Sequence, residues 1–585
     1  MGRNYRYQNF TGGLNNVSSV GTINQGPNRT ESPDMVNVEY YMLGGIQSMQ
    51  GNIQVGSTQT ERVVGGWEYT KNNDKYMMIG LQDGTVKRFD EITQDFVDVY
   101  KFPSISNRMS FCNMNNGVVI TNGVDDMVFY EIGRMSLLTG VISITEGSKS
   151  VVGLNTTFGT DVLVGDSIVV DNETYFVESI TDATHLELST TARTTASDLT
   201  FRLGELSLCN AYLVNEDDPN LKTPIRGLAI NFFNGRLFVG SGNGLYYSQL
   251  GMYNGWDIKY EAGVIQSIYN DTSDIKALGL FSSYLLIHKE FYSYILAGGS
   301  DPDEWQISPY ASISCDSQQS YVQTNTRYYV FSKENMGIYP LLQHSVFSDK
   351  YLGQDISEKI RNLFLDVDVS RCDEIFFVRY PKKRYMAAYM PNIYGNGSSL
   401  CPIYDFQTKT WLLRKLPQYV TIAFEYDNNI YIGTDNGKVL KEFTGQSFDG
   451  EPINAKWKSP WFEFGDGTLY KSIEEFCVYS PEDITSNYYI NVYRDGESSK
   501  KSRLVTGDIY DVNALIWEGV TETQDNDTYW DENNWVKQQF DQHRFPLEKS
   551  FFRMYQIEFE ARDAGQGFAI AGFGFNRVEA EEAPW

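Results

Sequence analysis

The chain is poor in the side chains that most often do chemistry. Its 585 residues include six cysteines and four histidines. Cys112, Cys209, Cys315, Cys372, Cys401 and Cys477 lie far apart, with no Cys-x-x-Cys spacing. That pattern excludes a zinc ribbon and a disulfide framework, and it fits reduced thiols in a protein assembled in a cytoplasm. His185, His288, His344 and His543 form neither a His-Glu-x-x-His nor a His-x-His motif, so no metal site is expected. No apolar run approaches the ~18 residues of a membrane-spanning helix. The opening MGRNYRYQNF has no apolar core of a secretory leader. Arg6 stands where a myristoylation signal wants Ser or Thr. Positive charge is also short. Against 75 Asp and Glu there are 48 Lys and Arg, for a formal net charge of -27 and a pI near 4.6. The basic footprint of a duplex-DNA reader is missing.

Catalytic motifs are missing as well. There is no Gly-x-Ser-x-Gly elbow, no Walker-type phosphate loop and no Ser-x-Asp-x-Gly-x-Thr-Trp box of sialidase-type propellers. Acid pairs such as Asp125-Asp126, Asp217-Asp218 and Asp301/Asp303 are common in loops, as they must be at this acidity. Only their spatial separation could make two of them a glycosidase pair. His288, inside LLIHKEF, reads as a hydrogen-bonded structural residue of a strand. The run Val378-Arg379-Tyr380-Pro381-Lys382-Lys383-Arg384-Tyr385 is the nearest approach to a cation–aromatic stacking platform, and reads either as a solvated turn or as a partner contact. No catalytic, cofactor-binding or metal-binding residue is assigned, no cofactor is expected, and the chain reads as a non-enzyme.

What the chain does have is aromatic side chains and turns. Aromatics make up 14% of it, with 40 Tyr and 34 Phe, and there are 50 Gly. This is the composition of strands joined by tight turns, hence an all-β protein. Its length allows two to four folding units. Three segments superimpose without gaps: YMMIGLQDGTV (76–86), RLFVGSGNGLY (236–246) and IYIGTDNGKV (430–439). Each is an apolar strand, then Gly-x-x-[Asp/Asn]-Gly, then a second strand, and the Asp-Gly or Asn-Gly step suits a hairpin reversal. Looser copies occur at 117–130, 284–296, 328–341 and, with an enlarged turn, 385–411. A recurrence of roughly 40 to 60 residues is that of four-stranded propeller blades. The expected fold is a β-propeller of six or seven blades in two parts, 54–139 and 205–449, with a β-sandwich or irregular meander as the alternative. Residues 140–204, rich in β-branched strands and poor in aromatics, read as a small β-barrel or sandwich inserted between blades. Residues 450–585 read as a terminal β-sandwich with a polar, Trp-dotted connection at 521–544. Residues 1–53 read as an arm whose strand joins the last blade or a neighbouring subunit.

The arm also carries a resemblance. Asn9-Phe10-Thr11-Gly12-Gly13-Leu14-Asn15, then Ser32-Pro33-Asp34-Met35-Val36-Asn37-Val38, then Gly44-Gly45-Ile46-Gln47-Ser48-Met49-Gln50-Gly51 is similar to the opening of tail nozzle or tail hub proteins of short-tailed bacteriophages (podoviruses). The 140–204 interval likewise resembles small modules of phage tail proteins. The last phrase departs from the family, reading Met49-Gln50-Gly51 where Arg-Pro-Gly is common. The resemblance implies a structural virion protein, assembled in the host cytoplasm as a homohexamer ring at the distal end of the tail. It implies a portal and adaptor above, fibres or other tail proteins outside, and a channel through which double-stranded DNA passes without specific binding. The reading from another class is a propeller that binds or cuts host surface polysaccharide. A pocket at the propeller axis with paired carboxylates and arginines would favour it.

Overall fold

In the computed structural model the described residues are 3–581, apart from 19–29, 42–43, 172, 219, 267, 325–326, 343–353, 394–396, 466, 482–486, 496–500, 507–539 and 547–550. The 521–544 connection lies mostly outside them. The fold is all-β. Each of the repeated segments is a hairpin, paired Gly80 to Val86, Gly240 to Leu245 and Gly433 to Val439 in the three gap-free copies. The turns differ in detail. Gly84 and Gly437 take positive φ (93° and 79°), whereas in the middle copy the left-handed residue is Gly242 (φ 56°), which makes a tighter two-residue reversal. The first glycine of each copy has another use. A Cβ on Gly240 would sit 2.6 Å from Ile275, and one on Gly433 2.6 Å from Val63, so these positions let consecutive sheets approach.

Those hairpins extend into antiparallel sheets over 63–101, 110–130 with 201–208, 229–265, 277–311, 321–342, 376–416, and 420–442 with 52–54. Most have four strands, and the sheet over 321–342 shows three. The first strand of each sheet packs on the first strand of the next, from Val63–Lys71 through Ser110–Met114, Ala229–Phe233, Ala277–Phe281, Tyr321–Gln323 and Phe376–Tyr380 to Val420–Tyr426. Val420–Tyr426 packs in turn on Val63–Lys71, which closes the ring. Sheets stacked side by side round an axis make a β-propeller, in which each sheet buries both faces against its neighbours.

The interval expected between blades is instead built into one. The second sheet runs Ser110–Met114, Gly117–Thr121, Val128–Tyr130, and its fourth strand, Phe201–Leu208, arrives only after the chain has made six further strands. Phe201–Leu208 pairs on one side with Val128–Tyr130 and on the other with Asp166–Val170, so ten strands form one continuous sheet. A boundary at 204 therefore cuts through a strand. The added strands keep their own core, including Ile142, Val151, Phe158, Ile168, Tyr175 and Leu186.

The arm is divided. Arg3–Tyr7 pairs with Gly572–Glu581, Asp34–Val36 with Ala455–Lys458, and Gly45–Ser48 with Ala569–Ile570, so most of it belongs to the C-terminal layers. There, two sheets face each other across buried aromatics, among them Phe10, Trp457, Phe559 and Phe573. Tyr7 stacks on Phe573 at 4.9 Å. Asn37, at φ 54°, ties these layers to the ring. Its N–H donates to the Leu413 carbonyl (2.7 Å), its Oδ1 accepts from the Lys415 N–H (2.9 Å), and its Nδ2 donates to the Asn454 carbonyl (2.9 Å). Only Asn52–Gln54 enters the ring, as the outer strand beside Val439–Glu442.

That entry is clasped by a buried ion pair. Arg414 and Glu442, both with no exposed side-chain surface, meet at 2.8 Å. Arg414 also donates to the carbonyls of Gln50 (2.7 Å) and Gly51 (3.0 Å), and its guanidinium lies between the rings of Phe443 and Phe448. Glu442 accepts from Asn52 Nδ2 (2.9 Å) and the Tyr389 hydroxyl (3.2 Å). Gly51 has no room for a side chain, since a Cβ there would lie 1.8 Å from the Ser447 carbonyl oxygen. Truncating one partner of such a pair strands the other charge in a dry interior and costs about 3–5 kcal/mol. Arg414→Ala is therefore expected to lower the Tm sharply, read by tryptophan fluorescence on heating. Lys149→Ala, which removes an exposed pair with Glu178, should cost at most about 1 kcal/mol.

Candidate functional site

The first strands of the sheets surround the ring axis, and these strands with the loops that lead into them line two cavities. One, of about 590 Å³, is lined by Trp67, Glu68, Asn113, Gln323, Arg379 and Glu425 among others. The second, of about 370 Å³, is lined by the loops that lead into those strands, with Arg108, Arg226, Asp274, Lys276, Asp316 and Asp373. Gln318 and Gln319 line both, so the segment carrying them stands between the two mouths. It is anchored there. The Gln318 amide donates to the carbonyls of Ile230 (3.0 Å) and Leu278 (2.9 Å) and accepts from the Leu278 N–H (2.8 Å). Two backbone strands of the inner ring thus have their free groups satisfied by one side chain.

At the first mouth, burial holds the Glu425 carboxyl above its ordinary range, against the pull of Arg379 3.7 Å away, with the Glu68 charge adding to the rise. Glu68 is already committed, accepting from the Asp427 N–H (2.7 Å) and pairing with Lys75 (3.2 Å). Trp67 donates its indole N–H to Asn113 (3.0 Å). Beside the second mouth, Glu374 gathers Arg62 (3.1 Å), Arg371 (2.6 Å) and the Tyr419 hydroxyl, with Arg108 at 3.7 Å. Burial works to raise the Glu374 carboxyl, but Tyr419 and the three guanidiniums outweigh it and hold the group below its ordinary value. Arg108 donates as well to the carbonyls of Thr421 and Asp373 (3.1 and 3.0 Å). The cluster joins the loop before the sixth sheet to the first, second and seventh. Its bonds are those of a staple.

The residues singled out from sequence are mostly engaged in local structure. Asp125 accepts from the Ser104 N–H and hydroxyl (both 2.8 Å), Asp126 from the Ala211 N–H (2.9 Å), and Asp301 from the Asp303 N–H (3.0 Å). None of these acids lines either mouth. All six cysteines are buried and none forms a disulfide, and burial pushes the Cys112 thiol up to about 12. His185 is exposed beside Asp182, at 3.0 Å. His344 and the side chain of His543 lie outside the described residues. Among the described residues no helix is long and apolar enough to cross a membrane.

A third cavity, of about 550 Å³, opens between the fifth and sixth sheets and shares Thr324 and Arg379 with the first mouth. The cation–aromatic run at 378–385 divides over it. Lys382 donates to Asn429 (2.8 Å), and Lys383 turns away to the buried Glu39 (2.7 Å). Arg379 and Arg384 line the cleft, joined by Arg327 and Lys409 from neighbouring hairpins. Those last two are far away in sequence, and no local signal linked them to the run.

No family model matches the chain, and no curated protein does. Among solved structures it is similar to the Myceliophteria thermophila Cps50 (Swd1) β-propeller domain, at 9% identity and TM-score 0.35, covering 68% of this chain and 99% of that one. It is also similar to the WD40 β-propeller domain of Doa1, at 11% identity and TM-score 0.32, covering 67% and 96%. The WD40 repeats of RRP9 match at 7% identity and TM-score 0.33, covering 68% and 99%. Likeness at this level adds nothing to the strand pairing and ring closure described above.

His288 gives the region a pH signature. Its Nδ1 lies 2.7 Å from the Ser293 hydroxyl, whose own hydrogen goes to the Ile313 carbonyl (2.5 Å). Nδ1 therefore carries the proton, and Nε2 accepts from the Tyr328 hydroxyl (3.0 Å). Burial lowers the imidazole from 6.5 to about 3. The unfolded chain binds this proton first, so stability is lost as pH falls from about 6.5 towards 3, with a slope of at most about 1.4 kcal/mol per pH unit. Urea midpoints measured across that window should fall with acid, and the His288→Gln variant should show a shallower fall.

Proposed function

We propose that this chain is a structural subunit of the nozzle or hub at the distal end of a short phage tail. In this reading the sheets over 52–442 are the blades of a seven-bladed propeller. The 131–200 excursion is a small β-domain set into the second blade, and residues from 450 onward, with the arm, form a terminal sandwich. Copies assemble in the host cytoplasm into a ring within the virion, and the ring surrounds the genome-ejection channel and holds neighbouring tail proteins or fibres.

One observation carries the reading. The phrases that resemble the family are the ones that stitch the molecule. Phe10 sits fully buried in the aromatic core, Asn37 bridges the C-terminal layers to the sixth sheet, and Gly51, the residue of the last phrase shared with the family, lies under Arg414. Residues engaged in such contacts fit a part whose task is to hold a shape. The cavities of about 590 and 370 Å³ inside a single chain are too small for a duplex, so in this reading DNA runs through the middle of the ring of copies. A surface with this net charge repels phosphates and lets the genome slide.

A second reading, a glycan-binding or glycan-cutting propeller, is favoured by Glu425 beside Arg379 in an axial cavity that Trp67 also lines. Two measurements separate the readings. Electron microscopy of the purified protein should show closed rings of about six copies viewed down a symmetry axis. Particles that stay monomeric and release reducing ends from host polysaccharide, with release lost in Glu425→Gln, would support the second reading against the first. DNA affinity at low salt should be weak, and tight binding would contradict a channel in which the duplex slides.

A further inference from the structure

Four cations share one cleft on a chain that carries 27 more acids than bases. Arg327, Arg379, Arg384 and Lys409 line the cavity between the fifth and sixth sheets, against a wall that includes Tyr329 and Tyr404, and among the described residues no carboxylate lines it. Arg379 has Glu425 behind it at 3.7 Å. Arg327, Arg384 and Lys409 are exposed and have no ion pair among the described residues. The two nearest lysines, Lys382 and Lys383, are used up internally, so the cleft is set apart as a site of like charge. Like charges held together without a counter-charge repel one another, and an anionic partner relieves this.

A complementary feature stands three sheets back along the ring. The hairpin Tyr212–Val214 with Lys222–Pro224 leans on the third sheet, where the Val214 N–H donates to the Trp256 carbonyl (3.0 Å). Its tip presents Glu216, Asp217 and Asp218, all exposed and without an ion pair among the described residues. The Asn215 side chain holds the tip in shape, accepting from the N–H groups of Asp217 (2.8 Å) and Asp218 (3.3 Å). We propose that the acidic tip at Glu216–Asp218 of one copy docks into the Arg327/Arg379/Arg384/Lys409 cleft of the next. A contact between two different patches of one molecule is heterologous, and repeated with a closing rotation it makes a ring. The proposal rests on the reading of the chain as a ring-forming subunit and names the interface of that ring.

The test uses the full chain and measures mass in solution by analytical ultracentrifugation, with circular dichroism and Tm confirming that each variant is folded. One variant carries Arg327→Glu, Arg384→Glu and Lys409→Glu, which turns the net charge of the cleft negative. The other carries Glu216→Lys, Asp217→Lys and Asp218→Lys. Each alone should assemble roughly a hundredfold more weakly than the native chain, because like charges now face each other. Mixing the two in equal amounts should restore rings, since each reversed cleft meets a reversed tip and each native cleft a native tip. Native rings with both variants assembling normally would overturn the docking and leave the ring reading standing. So would a mixture that stays monomeric, or a cleft that binds inorganic phosphate while the charge reversals leave assembly untouched. A native chain that is monomeric at every concentration would overturn both.

Discussion

The buried pair between Arg414 and Glu442 is the joint on which the architecture turns. A ring of sheets is complete only when its last member is complete, and here the outer strand of that member comes from residues 52–54, at the other end of the chain. Three residue pairs between short strands are a weak closure. The clasp adds a charge pair that reaches three segments at once: the outer strand of the sixth sheet, the third strand of the seventh, and the arm. Burying two charges costs desolvation, and an apolar pair of the same shape could pack as tightly. What the ion pair adds is selectivity. Only a strand that offers the Gln50 and Gly51 carbonyls and the Asn52 amide satisfies both ends, so a misregistered strand would leave a charge unpaired.

Closure is coupled to the C-terminal layers through the same stretch of chain. Between the strand at 34–36 and the strand at 52–54 the arm passes Asn37, which satisfies backbone groups on the sixth sheet, and a hairpin that pairs with Ala569–Ile570. One hydrophobic core runs without a break from the fifth to seventh sheets through the arm into the aromatic layers around Trp457 and Phe573. The parts of the molecule cannot open independently there. The opposite side of the ring is assembled from separate smaller cores between consecutive sheets.

Much of this was legible in the sequence, because hairpin chemistry is local. Gly-x-x-Asp-Gly and its variants announced the inner hairpins, and alternation in strands such as Tyr555–Ala561 announced the terminal layers. What is not local could not be read. Nothing in Phe201–Leu208 says that it belongs to a sheet begun ninety residues earlier, so the 140–204 interval read as lying between sheets when it lies within one. The arm's three destinations depend on partners at 455–458, 569–581 and 439–442. The cation–aromatic run at 378–385 was visible, but two of its cations are spent internally, and the two that join the others in the cleft, Arg327 and Lys409, sit on hairpins far from it.

The account's central claim is that the ring is closed by the arm and held shut by the clasp. Native-state amide hydrogen exchange tests it most directly. Residues 52–54 and 439–442 should exchange as slowly as the inner strands at 229–233 and 277–281, through one shared opening. Exchange at 52–54 that is orders of magnitude faster, while the inner strands stay protected, would show a ring that stands without its clasp and would contradict the claim.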